Sequence, residues 1–367
     1  MSQYLFILLY LAAMFLLKKR TTAGIEKNEY VLGRESSRTS PLFAVVIFLP
    51  ILIMATCRGS IGDTPSYVRM FKGLPNTFSA LAELLPTVTK DRGFTALSGV
   101  IKCIFGENDA VYLFVLAFLQ SAALVAVYRK YSEDYLFSVF LFVASTDYLS
   151  WMFNGLRQFT AVTLIFAATT LMLKKRWILT AVLILLASTI HQSALIMFAL
   201  VFIAQGKAWN RRTVLFLTAA LIAVVYVDSF TELLDGMMKD TQYSNVVSDW
   251  TLWEDDGTNV FRVLVYAVPT VLSLVGIRYI RAADDPVINF CTNMSIVSTG
   301  IYIISMFTSG IFIGRLPIYA SLYNYILLPW ELGHMFTKKS ARLMKAATVA
   351  AYVAFYWYQV HSTWNLV

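Results

Sequence analysis

NGLRQFTAVTLIFAATTLMLKKRWILTAVLILLASTIHQS, residues 154–193, is the stretch on which the reading of this chain turns. Arg157 opens an apolar run, Phe159 to Leu173, relieved by a few threonines and closed by Lys174-Lys175-Arg176. At about 1.5 Å per helical residue this run nearly crosses a hydrocarbon core of roughly 30 Å. Trp177 to Ile190 returns over a similar reach and delivers His191-Gln192-Ser193 to the level of Arg157. Lys/Arg clusters mark the cytoplasmic side, so the triplet is expected inside. The Arg157/His191 pair is then expected outside, beyond the supply of nucleotides.

A chain of 367 residues that is 58% hydrophobic and 14% charged holds too little polar surface to coat a soluble globule. The apolar runs have helix length and no period-2 alternation, which implies helical spans and not a barrel. Tyr4 to Leu17 is read as a retained first helix, because Lys18-Lys19-Arg20 follows it where a signal peptide would carry charge in front. Cys57, Cys103 and Cys291 have neither metal spacing nor a paired framework and read as apolar filler.

In chain order, Pro41 to Cys57 is expected to cross outward. Residues 58–109 should form an external segment in which Phe78, Leu81, Leu84, Leu85, Phe94, Leu97, Ile101 and Ile104 recur at helical spacing, as in helices lying in the interface. Ala110 to Tyr128 and Tyr135 to Ser150 cross before the opening stretch; Ser193 to Ala204, Thr213 to Val227, the span begun by Arg262, Pro286 to Met306, the span begun by Arg315, and Ala346 to Val360 follow it. Residues 228–258 form a second external segment with eight acids, one lysine, Tyr243, Trp250 and Trp253. The expectation is a single all-α membrane domain of about twelve spans. Of the 30 Lys and Arg, 20 then fall inside and 10 outside, as the positive-inside rule requires. The basic charge thus reflects orientation and not nucleic-acid binding.

The basic residues on the outer side need a separate reason. Arg58, Arg157, Arg262 and Arg315 each lie near the outer end of a span, and guanidinium forks match phosphate oxygens bidentately at any working pH. If the helices converge, these four residues form a pyrophosphate cradle. The competing reading is that each snorkels or pairs with an acid, as Arg157 would with Asp147. His191 alone among three histidines lies in the arginine layer of the helical body, where a neutral imidazole accepts a proton near pH 7. Asp63, in Gly62-Asp63-Thr64-Pro65, competes with it as base and has its own structural reading as a turn or cap residue. Tyr243, Trp250 and Trp253 with their acids have the composition of a sugar-binding surface, with a solvated loop as the alternative. No glycine-rich phosphate loop, HExxH, cysteine cluster or GxSxG elbow is present, so neither a cofactor nor a metal nor a soluble nucleotide donor is expected.

Cys57-Arg58-Gly59-Ser60-Ile61-Gly62-Asp63-Thr64-Pro65-Ser66-Tyr67, Asp91-Arg92-Gly93-Phe94, Asn154-Gly155-Leu156-Arg157-Gln158, His191-Gln192-Ser193-Ala194-Leu195-Ile196 and Gly314-Arg315-Leu316-Pro317-Ile318-Tyr319 together resemble the EpsG family of Wzy-type polysaccharide polymerases. The resemblance implies a GT-C-like helical enzyme of the bacterial inner membrane. It would join undecaprenyl-pyrophosphate-linked oligosaccharides, as both donor and acceptor, into an O-antigen-type or exopolysaccharide chain at the periplasmic face, with a chain-length regulator as its protein partner. By position it assigns function to Arg58, Asp63, Arg157, His191 and Arg315. A flippase for the same lipid would also need arginines, but it should carry polar groups near the midplane, and the expected span centres hold no formal charge. A glycan ligase would look the same at this level.

In a cysteine-free background, a cysteine at position 240 is expected to react with an impermeant maleimide from outside, and one at position 209 only after permeabilisation. The opposite pattern would invert the whole path.

Overall fold

The computed structural model describes residues 3–20, 26–32, 34–238 and 257–366, and these fold into helices joined by short turns, with one small β-hairpin. They form two compact units: one comprising Met1–Ile196 with Val349–Val367, the other Met197–Thr348.

The first unit contains α1 (Gln3–Arg20), α2 (Pro41–Thr56), α3 (Thr64–Lys72), α4 (Phe78–Leu84), α5 (Arg92–Phe105), α6 (Asp109–Tyr131), α7 (Tyr135–Ala144), a π-helical turn at Tyr148–Asn154, α8 (Leu156–Ala167), α9 (Thr169–Leu173) and α10 (Trp177–Ile190). Helix starts fall where polar caps interrupt the apolar sequence. Asn108 accepts from the Val111 amide and Asp134 from that of Phe137, each filling an otherwise unpaired first-turn donor. Helix α6 packs on α2 and α8, and α8 packs on α10. Arg157 and His191 therefore share one end of the unit, and Lys174–Arg176 occupies the other.

Residues 26–39, read from sequence only as polar, form an antiparallel hairpin of β1 (Glu26–Val31) and β2 (Arg34–Thr39), with Leu32 at φ 49° in its turn. The basic residues near the ends of α1 and α6 hold it. Lys18 pairs with Glu26 at 3.1 Å, and Arg129 pairs with Glu29 while its Nε donates to the Thr39 carbonyl at 2.8 Å.

The second unit contains α11 (Met197–Ala204), α12 (Arg211–Val225), α13 (Val227–Met238), α14 (Val260–Val275), α15 (Ile277–Ala283), α16 (Pro286–Met306), α17 (Ile318–Ser321), α18 (Asn324–His334) and the first half of α19 (Lys338–Tyr358). Helix α16 is the core, packed by α11, α12, α14 and α18. Its buried Asn289 and Asn293 accept from the Ala208 and Trp209 amides, so the turn before α12 is capped from within.

Among the described residues, helices α6 and α16 are long and apolar enough to cross a membrane alone, and three bent pairs, turning by 74°, 107° and 72°, bring the number to as many as five if each pair is one span. The other apolar helices are shorter, among them Pro41–Thr56, Leu156–Ala167 and Trp177–Ile190. Several leave apolar sides open, as at Ile178, Val182 and Leu185 of α10 and Leu264, Val271 and Val275 of α14. Such surface suits lipid and is not tolerated at this extent in water.

Amphipathic spacing in residues 58–109 is realised as α3, α4 and α5. Leu81, Phe94 and Ile101 turn inward, while Phe78 and Ile104 stay exposed. Gly93 permits the close approach of α5 to α10, since a Cβ there would lie 2.9 Å from the Thr189 carbonyl carbon. Gly93→Ala is therefore expected to destabilise the protein by about 1–3 kcal/mol through overpacking, whereas Gly236→Ala, inside α13 and with nothing within 4 Å of the added Cβ, should stabilise slightly, by up to about 1 kcal/mol. Melting in detergent checks the pair, and a wild-type melting temperature for Gly93→Ala would contradict the α5–α10 contact.

Candidate active site

Between α7 and α8 the chain stops being regular. Thr146 takes φ 64°, Tyr148–Asn154 is π-helical, and the bend amounts to 74°. A helix that ends in an apolar body leaves carbonyls that must find other donors. Arg58, only 3% exposed, donates through Nη1 to the Met152 carbonyl and lies over the Phe153 ring at 5.7 Å. Thr64 Oγ1, whose hydroxyl donates to the Ile61 carbonyl at 2.7 Å, lies 3.4 Å from the Phe153 carbonyl, and Gln120 Nε2 donates to the carbonyl of Leu156, at the start of α8, at 3.1 Å. Asn154 supplies the reverse contact, its Oδ1 accepting from the Asp63 amide at 3.1 Å. Gly62, at φ 56°, lies so close to Asn154 that a Cβ would come within 2.6 Å of its Oδ1. Residues 58–64 are thus docked on the broken helix, and Tyr67, farther along, places its hydroxyl 3.4 Å from the Arg157 amide.

Arg58 keeps two guanidinium nitrogens, Nε and Nη2, without a hydrogen-bond partner among the described residues. Burial pulls its pKa down to about 10, against the small opposing influence of Tyr112 and Tyr67, and it stays charged at neutral pH.

Arg157 meets an acid other than the Asp147 considered from sequence. Its Nη1 lies 3.0 Å from Oδ2 of Asp91, whose side chain is 3% exposed while that of Arg157 is 29% exposed. Asp91 has a pKa above the ordinary carboxylate value, because burial outweighs the positive charges of Arg157 and Lys90. The Gln192 amide faces the same carboxylate, although neither oxygen has a well-aligned hydrogen-bond donor. Beyond Gln192, His191 Nδ1 lies 2.7 Å from Ser193 Oγ, which Gln158 Nε2 reaches at 3.4 Å. Arg157, Asp91, His191 and Ser193 therefore form one polar cluster.

Asp63 stands at the N-cap of α3 yet makes no capping hydrogen bond with its side chain, so the cap reading does not account for it. Arg92 donates to the Val88 and Pro86 carbonyls and serves its own loop. Arg262 and Arg315 belong to the second unit. Thr258 donates to the Ser305 carbonyl at 2.9 Å, joining the approach to α14 to the end of α16, so both arginines fall at one end of that unit, with Arg262 over the Tyr266 ring at 5.6 Å. Tyr243, Trp250 and Trp253 lie outside the described residues. Asp91, Asn154 and Tyr67 have no role that residue type and spacing predict, and their one signal in sequence is that they lie within the motifs 91–94, 154–158 and 57–67.

Fold and cluster together define an all-α, multi-pass membrane protein with a preformed set of buried and half-buried charges at one end of its first unit. A family model, the EpsG family, matches residues 42–365, and the chain belongs to that family, whose members are Wzy-like polysaccharide polymerases. Membership makes it a membrane polysaccharide polymerase acting on lipid-linked oligosaccharide. No curated protein and no solved structure matches it.

Asn154→Leu removes the acceptor for the half-buried Asp63 amide at similar volume, and the lost hydrogen bond costs about 0.5–1.5 kcal/mol. Faster hydrogen exchange over residues 58–67 is expected in that variant, and near-normal exchange in Asn154→Asp, which keeps an oxygen. Unchanged exchange in both would mean the loop is held by other contacts.

Proposed function

We propose that the chain polymerises undecaprenyl-pyrophosphate-linked repeat units at the periplasmic face of the bacterial inner membrane, through about twelve spans in a GT-C-like arrangement. The observation that carries this reading is the Arg157 guanidinium, half-buried and held at the same end of the unit as buried Arg58 and His191. Outside the cell a glycosyl donor must bring its own leaving group, and a lipid pyrophosphate is one. Arginine forks stabilise the charge that develops as it departs, without a metal. Arg262 and Arg315 offer the same chemistry in the second unit.

In the reaction, an acceptor hydroxyl loses its proton to a base and its oxygen bonds to the anomeric carbon of the donor chain. The bond from that carbon to the phosphate oxygen breaks, and undecaprenyl pyrophosphate leaves with the electron pair. His191 is the favoured base. In the tautomer that donates Nδ1–H to Ser193 Oγ, Nε2 would be the nitrogen that takes the proton, and the serine contact orients the ring. Asp63, not engaged in capping, is the second choice. Sugar selection is assigned to Tyr243, Trp250 and Trp253, whose rings suit stacking on pyranose faces. A chain-length regulator is the expected protein partner.

Purified protein given a lipid-linked repeat unit should yield a ladder of products on a gel, which neither a flippase nor a ligase would produce. Arg157→Lys keeps the charge and loses the fork. A charge-assisted hydrogen bond is worth about 1.5–3 kcal/mol, so a rate loss of roughly ten- to more than a hundredfold is expected at matched expression. Near-normal ladders from the lysine variant would remove Arg157 from the site.

A further inference from the structure

Asp91 takes no part in the reaction just described, yet its placement is specific. It occupies the N-cap of α5 with φ 51°, a left-handed conformation that aspartate tolerates better than most residues. Aspartate at an N-cap ordinarily bonds the first-turn amides, but this side chain makes no such bond. Its carboxylate is directed instead to Arg157, 3.0 Å away, and faces the amide of Gln192.

Two further features say what the contact does. The carboxylate is almost fully covered while the guanidinium is 29% exposed, so Asp91 lies on the protein side of Arg157 and leaves the other side open. Arg157 Nε also has no hydrogen-bond partner among the described residues, so the ion pair does not use up the fork. The backbone that carries Asp91 is independently fixed: Gly93, two residues on, is in close contact with Thr189, two residues before His191. Because that helix contact sets its distance from the His191 turn, Asp91 is a rigid reference point for both segments.

We propose that Asp91 is a positioning residue, which holds Arg157 from behind and ties it to the His191–Ser193 turn so that the guanidinium meets a pyrophosphate in one orientation. This rests on the reading of Arg157 given above. It also assigns the acid of Asp91-Arg92-Gly93-Phe94 a function that is neither capping nor proton transfer.

A double-mutant cycle separates the alternatives. The affinity of the purified protein for undecaprenyl pyrophosphate is measured by tryptophan quenching for the wild type, Asp91→Asn, Arg157→Gln and the double variant, with melting temperature recorded for each. Asp91→Asn is expected to weaken binding about tenfold in the wild-type background and less than about twofold in the Arg157→Gln background, since residues acting through one contact are not additive. Equal losses in both backgrounds, with Arg157→Gln itself weakened, would overturn the positioning role and leave the pyrophosphate reading standing. A lowered melting temperature with unchanged affinity in Asp91→Asn would show a structural role alone and would also overturn it. Wild-type affinity in Arg157→Gln would instead bring down the pyrophosphate reading, and the role of Asp91 with it. Should Asp91→Asn fail to fold, Asp91→Glu, which keeps the charge but displaces it, is read by the same criteria.

Discussion

A helix that stops inside an apolar body must find donors for the carbonyls its next turn would have bonded, and the break before α8 is where this protein meets that requirement. Arg58 supplies the donor for Met152, and the Thr64 hydroxyl sits beside the Phe153 carbonyl. An unpaired buried carbonyl costs free energy on the scale of a lost hydrogen bond, so the break and the loop that serves it form as one feature. The consequence is chemical as well as structural. Satisfying the break draws a guanidinium into the protein and brings residues 58–67 against the start of the helix that bears Arg157.

The charges there balance only in part. Arg157 has one acid behind it, and that acid is held less firmly than a fully paired carboxylate, with no well-aligned donor on either oxygen. Arg58 has a carbonyl and an aromatic face and no acid among its described contacts. Taken together, these residues leave positive charge partly uncompensated in a low-dielectric setting, where an anion is bound more strongly than in water. Membership of the polysaccharide polymerase family gives such an anion a natural source in a lipid-linked donor.

Much of this was legible in the sequence, for reasons that differ by element. The bounds of α16 follow directly from its hydropathy and from Asp285-Pro286, and the shared end of Arg157 and His191 follows from the length of the two runs that separate them. The break at Thr146 was not legible, because a left-handed residue without glycine gives no signal and Tyr135 to Ser150 reads as one apolar run. The hairpin has no signal in sequence, because residues 26–39 carry charge that topology alone explains, although that charge also pairs with α1 and α6. Asp147 is the partner that nearness in sequence suggests for Arg157, whereas Asp91 reaches Arg157 only through the packing of α5 on α10. Contacts made by packing between distant helices have no local pattern to betray them.

The most direct test is a structure of the protein with undecaprenyl pyrophosphate bound. Both phosphates are expected at the Arg157 end of the first unit, with oxygens about 3 Å from the guanidinium nitrogens of Arg157, and the His191 ring beside the space left for the sugar. Pyrophosphate bound at the Lys174–Arg176 end, with Arg157 and Asp91 undisturbed, would contradict this.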